Sequence, residues 1–174
     1  MSKRKRLVVV CGLPGTGKTT VAGEFAARFE ADRIRTDVVR KDCFPDPEYT
    51  AGETRATYDE TLERAARALE RDNVAVVDGT FRRESFRKQA RAVAREEGAA
   101  FELVRVECAE SVVRRRIEAR KGDESDADFD IHKLLQSEFE PPTMAHHTID
   151  NSGTLPEMRE QVTGICELLE VTVT

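Results

Sequence analysis

The chain has 174 residues, of which 39% are hydrophobic, 35% charged and 6% aromatic, which suits one compact core and is too short for two ordinary domains. The net charge of -5 gives a whole-molecule field that does not attract nucleic acid, so only local arginine clusters would do so. No apolar run approaches the ~18 residues that cross a bilayer, too short a hydrophobic stretch follows the basic SKRKR for a signal peptide, and Cys11, Cys43, Cys108 and Cys166 form no Cys-x-x-Cys pair. The expectation is a single cytoplasmic domain over residues 1–174 without a disulfide framework or zinc site.

Leu7 to Cys11 is a continuous valine-rich run, the pattern of a strand buried on both faces of a parallel sheet. A helical period follows at Ala22, Phe25, Ala26 and Phe29. Arg33 to Asp37 reads as a short strand with a helix begun at Val38, which Pro45 and Pro47 break. Tyr58, Leu62, Ala65 and Leu69 mark the next helix, Val74 to Asp78 the next strand, and Phe86, Ala90 and Val93 the helix after it. Phe101 to Glu107 reads as an alternating strand, and His147 to Asp150 as a short one. Between these two, the polar segment Lys121 to Asp128 has Ser125 and Asp128 at capping-box spacing. Leu155, Met158, Val162, Ile165 and Leu169 put one apolar stripe on the last helix. This alternation predicts an α/β layer fold with a parallel sheet, whose ligands bind beyond the carboxyl ends of the strands. The segments around Pro45–Pro47 and 121–128 are expected to be inserts over the site.

The stretch CGLPGTGKTT, Cys11 to Thr20, carries the chemistry. Gly12, four residues, then Gly17, Lys18 and Thr19 is the P-loop pattern between a strand and a helix. The glycines let successive N–H groups of Gly12, Leu13, Pro14, Gly15, Thr16, Gly17, Lys18, Thr19 and Thr20, proline excepted, turn toward a polyphosphate at a helix N-terminus. Lys18 would reach the β- and γ-phosphates, and the Thr19 hydroxyl would hold magnesium. Asp78, ending an apolar strand, stands where a Walker-B carboxylate that binds magnesium directly or through water is expected, with a turn-capping aspartate as the plainer reading. No guanine-reading Asn/Thr-Lys-x-Asp and no ABC signature loop is present, which favours adenine and hence ATP.

Asp37 and Arg40 stand one helical turn apart. A hydroxyl nucleophile needs such a carboxylate to orient it and take its proton, and an arginine to hold a negative group nearby; the plainer reading is an N-cap aspartate with a solvated arginine. Arg116 and Arg120, four apart, lead into a lid expected at about 119–140, which would bring them over the triphosphate and exclude water. Their plainer reading is an exposed helix paired with Glu118. Arg83, Arg87 and Arg91, with Arg95 nearby, form another basic stripe that is expected to be a solvated face, with a track for a phosphate backbone or an anionic substrate as the alternative. His146 and His147 lack a third ligand at metal spacing and are read as structural. Asp150 to Gly153 is a turn that would wall the adenine pocket.

Taken together, GLPGTGKTT, RTDVVRK, VVDGTF and RRRIEARKGDESDADFD resemble the P-loop kinases grouped around polynucleotide 5′-hydroxyl kinase, with zeta-toxin-like and chloramphenicol-phosphotransferase-like enzymes, over Leu7 to Gly153. The resemblance implies a three-layer P-loop NTPase fold with a five-stranded parallel sheet, helices on both faces and a helical lid. It implies ATP and Mg2+ as cofactors, with Lys18 and Thr19 at the phosphates and metal. Asp37 would be the general base, Arg40 the acceptor clamp, and Arg116 and Arg120 the lid arginines. The acceptor would be a hydroxyl of a small molecule or of a nucleic acid 5′ end, with no membrane and no obligate protein partner. Where the family usually carries Asp-Thr-Asn, this chain has Asp78-Gly79-Thr80-Phe81. A nucleoside-monophosphate kinase and a slow ATP-dependent switch protein are the alternatives.

Overall fold

Every side chain of β1 (Arg6–Cys11) is buried, and the strand's two-residue period divides the core in two. Leu7, Val9 and Cys11 pack with Tyr58, Leu62 and Ala90 on one face. Val8 and Val10 pack with Val21, Phe25 and Met158 on the other. The computed structural model describes residues 4–121 and 125–171. After β1 come α1 (Lys18–Phe29), β2 (Asp32–Arg35), α2 (Thr36–Cys43), α3 (Ala51–Arg71), β3 (Val74–Asp78), α4 (Glu84–Glu96), β4 (Ala100–Glu107), α5 (Glu110–Lys121), α6 (Ser125–Glu138), β5 (His147–Asp150) and α7 (Leu155–Val171). The strands form one parallel sheet in the order β2-β3-β1-β4-β5. Helices α3 and α4 cover one face and α1 and α7 the other, since each parallel pair needs a crossover helix that buries its apolar stripe on the sheet. The predicted α/β fold with a five-stranded parallel sheet is therefore observed.

Boundaries differ where polar side chains decide them. β2 stops at Arg35, and α2 opens at Thr36 rather than Val38; the Asp37 carboxylate accepts from the Val38 N–H at 3.0 Å, which satisfies a donor of the first helical turn. α3 starts at Ala51 behind Thr50, whose hydroxyl accepts from the Glu53 N–H. The Ser125 side chain, and with it the expected capping box, lies outside the described residues, as do positions 122–124 of the expected lid. No helix among the described residues is long and apolar enough to cross a membrane. Cys11 is fully buried, and burial pushes its thiol up to about 11, so it acts as a small hydrophobe.

Candidate active site

The P-loop rises from the end of β1, the central strand, and turns into α1. Two glycines make the turn possible. Gly15 and Gly17 sit at φ 84° and 86°, in the left-handed region that costs other residues energy. A Cβ at Gly15 would stand 2.9 Å from Val113 Cγ1 of α5, and one at Gly17 would collide with the Asn151 amide. Thr16 is buried and donates its hydroxyl to the Leu13 carbonyl at 2.8 Å, bracing the loop from inside. Its own carbonyl accepts from Asn151 Nδ2 at 2.8 Å. The loop's inner end is tied down as well, because the Gly12 N–H donates to the Thr80 carbonyl at 3.3 Å.

Lys18 and Thr19 occupy the first turn of α1. The Lys18 ammonium lies 3.5 Å from the Leu13 carbonyl. Burial lowers its pKa below the usual lysine value, and Asp78 and then Asp37 oppose that shift by their charge. Both carboxylates act on the lysine by charge. Thr19 donates its hydroxyl to Asp78 Oδ2 at 2.8 Å, and Asp78 is only 4% exposed. A hydroxyl and a buried carboxylate side by side are hard oxygen donors that suit Mg2+, which takes few protein ligands and completes its shell with phosphate oxygens and water. No cluster of three or more His, Cys, Asp or Glu side chains among the described residues forms an all-protein metal cage.

Asp37 sits in the first turn of α2 and is open to solvent, its side chain 64% exposed. Arg35 grips it with two bonds, Nη2 to Oδ2 at 2.8 Å and Nε to Oδ1 at 3.2 Å. That fork holds the carboxylate in one orientation. Arg40, one turn on, is engaged elsewhere. It donates to Glu53 Oε2 at 2.9 Å and to Thr54 Oγ1 at 3.2 Å, and lies 4.8 Å over the Tyr49 ring. Its guanidinium ties α2 to the start of α3 instead of pointing at the P-loop lysine's partners.

Beyond the P-loop's outer edge, a cavity of about 410 Å³ is lined by Gly15, Gly17, Thr20, Arg116, Arg120 and Asn151. Arg116 is held there by bonds to the Asn151 carbonyl at 2.7 Å and to Cys108 Sγ at 3.4 Å. The neighbour that pairs with Glu118 is Arg114 instead. The predicted lid arginines and the turn after β5 therefore share one wall.

Two side chains escaped the sequence reading, and a third was assigned to the wrong face. His132 of α6 is 3% exposed, and its Nδ1–H donates to the Pro14 carbonyl at 2.7 Å, seating α6 on the P-loop. No local spacing signals a contact between residues so far apart in the chain. Arg35 was visible only as a neighbour of Asp37. Arg87 is a correction: the stripe expected to be a solvated face contains a fully buried guanidinium, because spacing gives the face a residue shares and not which face the fold covers. His146 and His147 bond to the Met144 carbonyl and the Glu102 carboxylate.

The AAA domain family matches residues 7–142. Uncharacterised proteins of Mycobacterium tuberculosis and Mycobacterium bovis are 32% identical over 163 residues, covering 85% of this chain and 32% of each relative. The chain thus spans about a third of the length of the curated relatives it matches. Among solved structures, a gluconokinase from Sinorhizobium meliloti superposes with a TM-score of 0.76 at 22% identity over 98% of both chains. The Mycobacterium tuberculosis APS kinase in complex with AMPPNP and APS gives 0.74 at 19% identity, over 97% of this chain and 99% of that one. A shikimate kinase from Bacteroides thetaiotaomicron gives 0.66 at 20% identity, over 95% and 98%. This fold is the P-loop kinase fold.

Proposed function

The chain belongs to the AAA domain family, and on that premise we propose that it is an ATP-dependent kinase. It transfers the γ-phosphate of ATP to a hydroxyl of a small molecule or of a nucleoside or polynucleotide 5′ end. The observation that carries this reading is a pair of carboxylates at the ends of neighbouring strands, where Arg35 and Asp78 are register partners: Asp78, buried and bonded to Thr19, and Asp37, exposed at the start of α2 and held by Arg35. A nucleotide switch needs the first. Only an acceptor with a proton to lose needs the second.

Each group has a role set by its place. The P-loop N–H groups from Gly15 to Thr20 and the α1 N-terminus bind the phosphates, and Lys18 neutralises charge on them. Thr19 and Asp78 would hold the magnesium ion, which supplies Lewis-acid stabilisation of the transferring phosphoryl group. Arg116 and Arg120, which line the cavity beyond the P-loop's outer edge, would wall the base and phosphates on that side. Asp37, oriented by Arg35, accepts the acceptor's hydroxyl proton as the new oxygen–phosphorus bond forms and the bridging bond to the leaving nucleoside diphosphate breaks. Arg40 serves the acceptor side by fixing α2 against Glu53 and Thr54. Residues 1–174 act as one kinase domain, with a lid at about 119–140 that contains α6.

The test is phosphate transfer from γ-labelled ATP to a panel of sugars, sugar acids, nucleosides, nucleoside monophosphates and 5′-hydroxyl oligonucleotides. Labelled phosphate ester on an alcohol oxygen is expected. Transfer only onto phosphate oxygens would favour a monophosphate kinase, and release of free phosphate alone would favour a switch protein.

A further inference from the structure

Arg87 of α4 is the largest fully buried side chain among the described residues, and its guanidinium joins two segments that are distant in the chain. Nε donates to the Phe81 carbonyl at 2.8 Å, and Nη1 to Glu84 Oε2 at 2.7 Å. Nη2 donates to the Arg82 carbonyl at 3.2 Å and to the Glu140 carbonyl at 2.5 Å. The guanidinium also lies 4.8 Å from the centre of the Phe139 ring. Phe81 and Arg82 belong to the turn between β3 and α4; Phe139 and Glu140 are the first residues after α6.

The same two segments are laced together around it. The Glu140 N–H donates to the Arg82 carbonyl at 2.8 Å, Arg82 pairs with Glu138, and Thr143 donates to the second oxygen of Glu84 at 3.2 Å. The turn is anchored in the other direction to the P-loop, through the Thr80 carbonyl and the Gly12 N–H. At its centre Phe81 is fully buried with φ 44°, an unfavoured conformation for a bulky residue. Its N–H is held by the Tyr58 hydroxyl at 2.9 Å, while Arg87 holds its carbonyl. Helix α6 is thereby braced at its middle, by His132 on Pro14, and beyond its C-terminal end, by Arg87 on the segment that leaves it.

A buried guanidinium is expensive, and an apolar side chain of similar volume often fills such a place without loss of stability. What an apolar side chain lacks is donors. Only arginine offers a planar fork with enough N–H groups to grip three main-chain carbonyls and a carboxylate at once. We propose that Arg87 is a positioning residue for phosphotransfer: it keeps the turn from Gly79 to Arg82 and the exit of α6 in one register, so that both face the P-loop together. It acts through these segments, since no part of it is exposed to nucleotide or acceptor. The inference rests on the kinase reading above for its catalytic consequence, and on geometry alone for the coupling.

The test compares the full chain with Arg87→Met and Arg87→Lys, using hydrogen exchange with Mg–AMPPNP bound and transfer kinetics with an acceptor found in the panel. In Arg87→Met, exchange in peptides covering 79–83 and 138–143 is expected to rise together by about 10-fold, while β1 and α1 change less than about 2-fold. The AMPPNP dissociation constant is expected to stay within about 3-fold and kcat to fall by about 10-fold or more, as misplaced groups cost turnover before affinity. Arg87→Lys, with charge but no fork, should give the same joint loosening. Should Arg87→Met fail to fold, Thr143→Val, which removes one stitch of the same seam, should loosen both segments together by a smaller factor. Loosening of one segment without the other, or joint loosening with kcat unchanged, overturns the proposal. If no acceptor is phosphorylated by the unaltered protein, the kinase reading fails, and the joint exchange response still decides whether Arg87 couples the two segments.

Discussion

Thr19 donates its hydroxyl to Asp78 across 2.8 Å, joining the first turn of α1 to the end of β3 at the foot of the P-loop. Neighbouring parallel strands put the two residues there, because Val10 and Asp78 are register partners and the chain turns into α1 just above. Replacing Asp78 by Asn keeps the hydrogen bond and removes the charge. Mg-dependent AMPPNP affinity is then expected to fall by about 10-fold or more, while metal-free binding changes little. Calorimetry with and without magnesium measures both.

Lys18 predicts a proton linkage. Burial lowers its pKa in the free protein, and phosphates beside it raise the value again. The bound form therefore holds more protons at alkaline pH, so binding takes up a proton there and affinity falls as pH rises through the free-state value. Calorimetry across the alkaline range in buffers of different ionisation enthalpy should show the uptake, and Lys18→Met should abolish it.

Gly17→Ala meets two obstacles. The residue would be forced to φ 86° and its Cβ into the Asn151 amide. The backbone term alone costs about 1–2 kcal/mol, so chemical denaturation should show at least that loss, together with loss of nucleotide binding. Asn151→Ala in the same chain should relieve only the collision.

Tyr58→Phe removes the acceptor of the buried Phe81 N–H. The stranded donor should cost about 1–3 kcal/mol in denaturant unfolding. Burial pushes the Tyr58 hydroxyl up to about 12, so the bond persists through the neutral range, and the difference between the two proteins should not vary between about pH 6 and 9.

Much of this site was legible because its chemistry is local. Gly12 to Thr19 is contiguous, Asp78 closes a strand whose apolar run announces it, and Arg116 and Arg120 share a helix face. What was hidden depends on long-range packing. Arg40 stands one turn from Asp37 as its spacing implies, yet its guanidinium goes to Glu53. Thr50 and Glu53 have capping-box spacing, a signal that marks the helix start and would have drawn attention to that glutamate. His132 meets Pro14 only because α6 folds back over the loop. Arg87 carries its one local sign in Glu84, three residues earlier, but i and i+3 partners occur on solvated and covered faces alike.

The central claim is that the Asp37 carboxylate takes the proton of an alcohol while the P-loop holds the nucleotide. Asp37→Asn keeps shape and can still accept from the Val38 N–H, as the carboxylate does. Measured beside the unaltered protein with the acceptor found in the labelled-ATP panel, it should lose about 100-fold or more in kcat and bind Mg–AMPPNP with unchanged affinity. Undiminished turnover by Asp37→Asn would contradict the account.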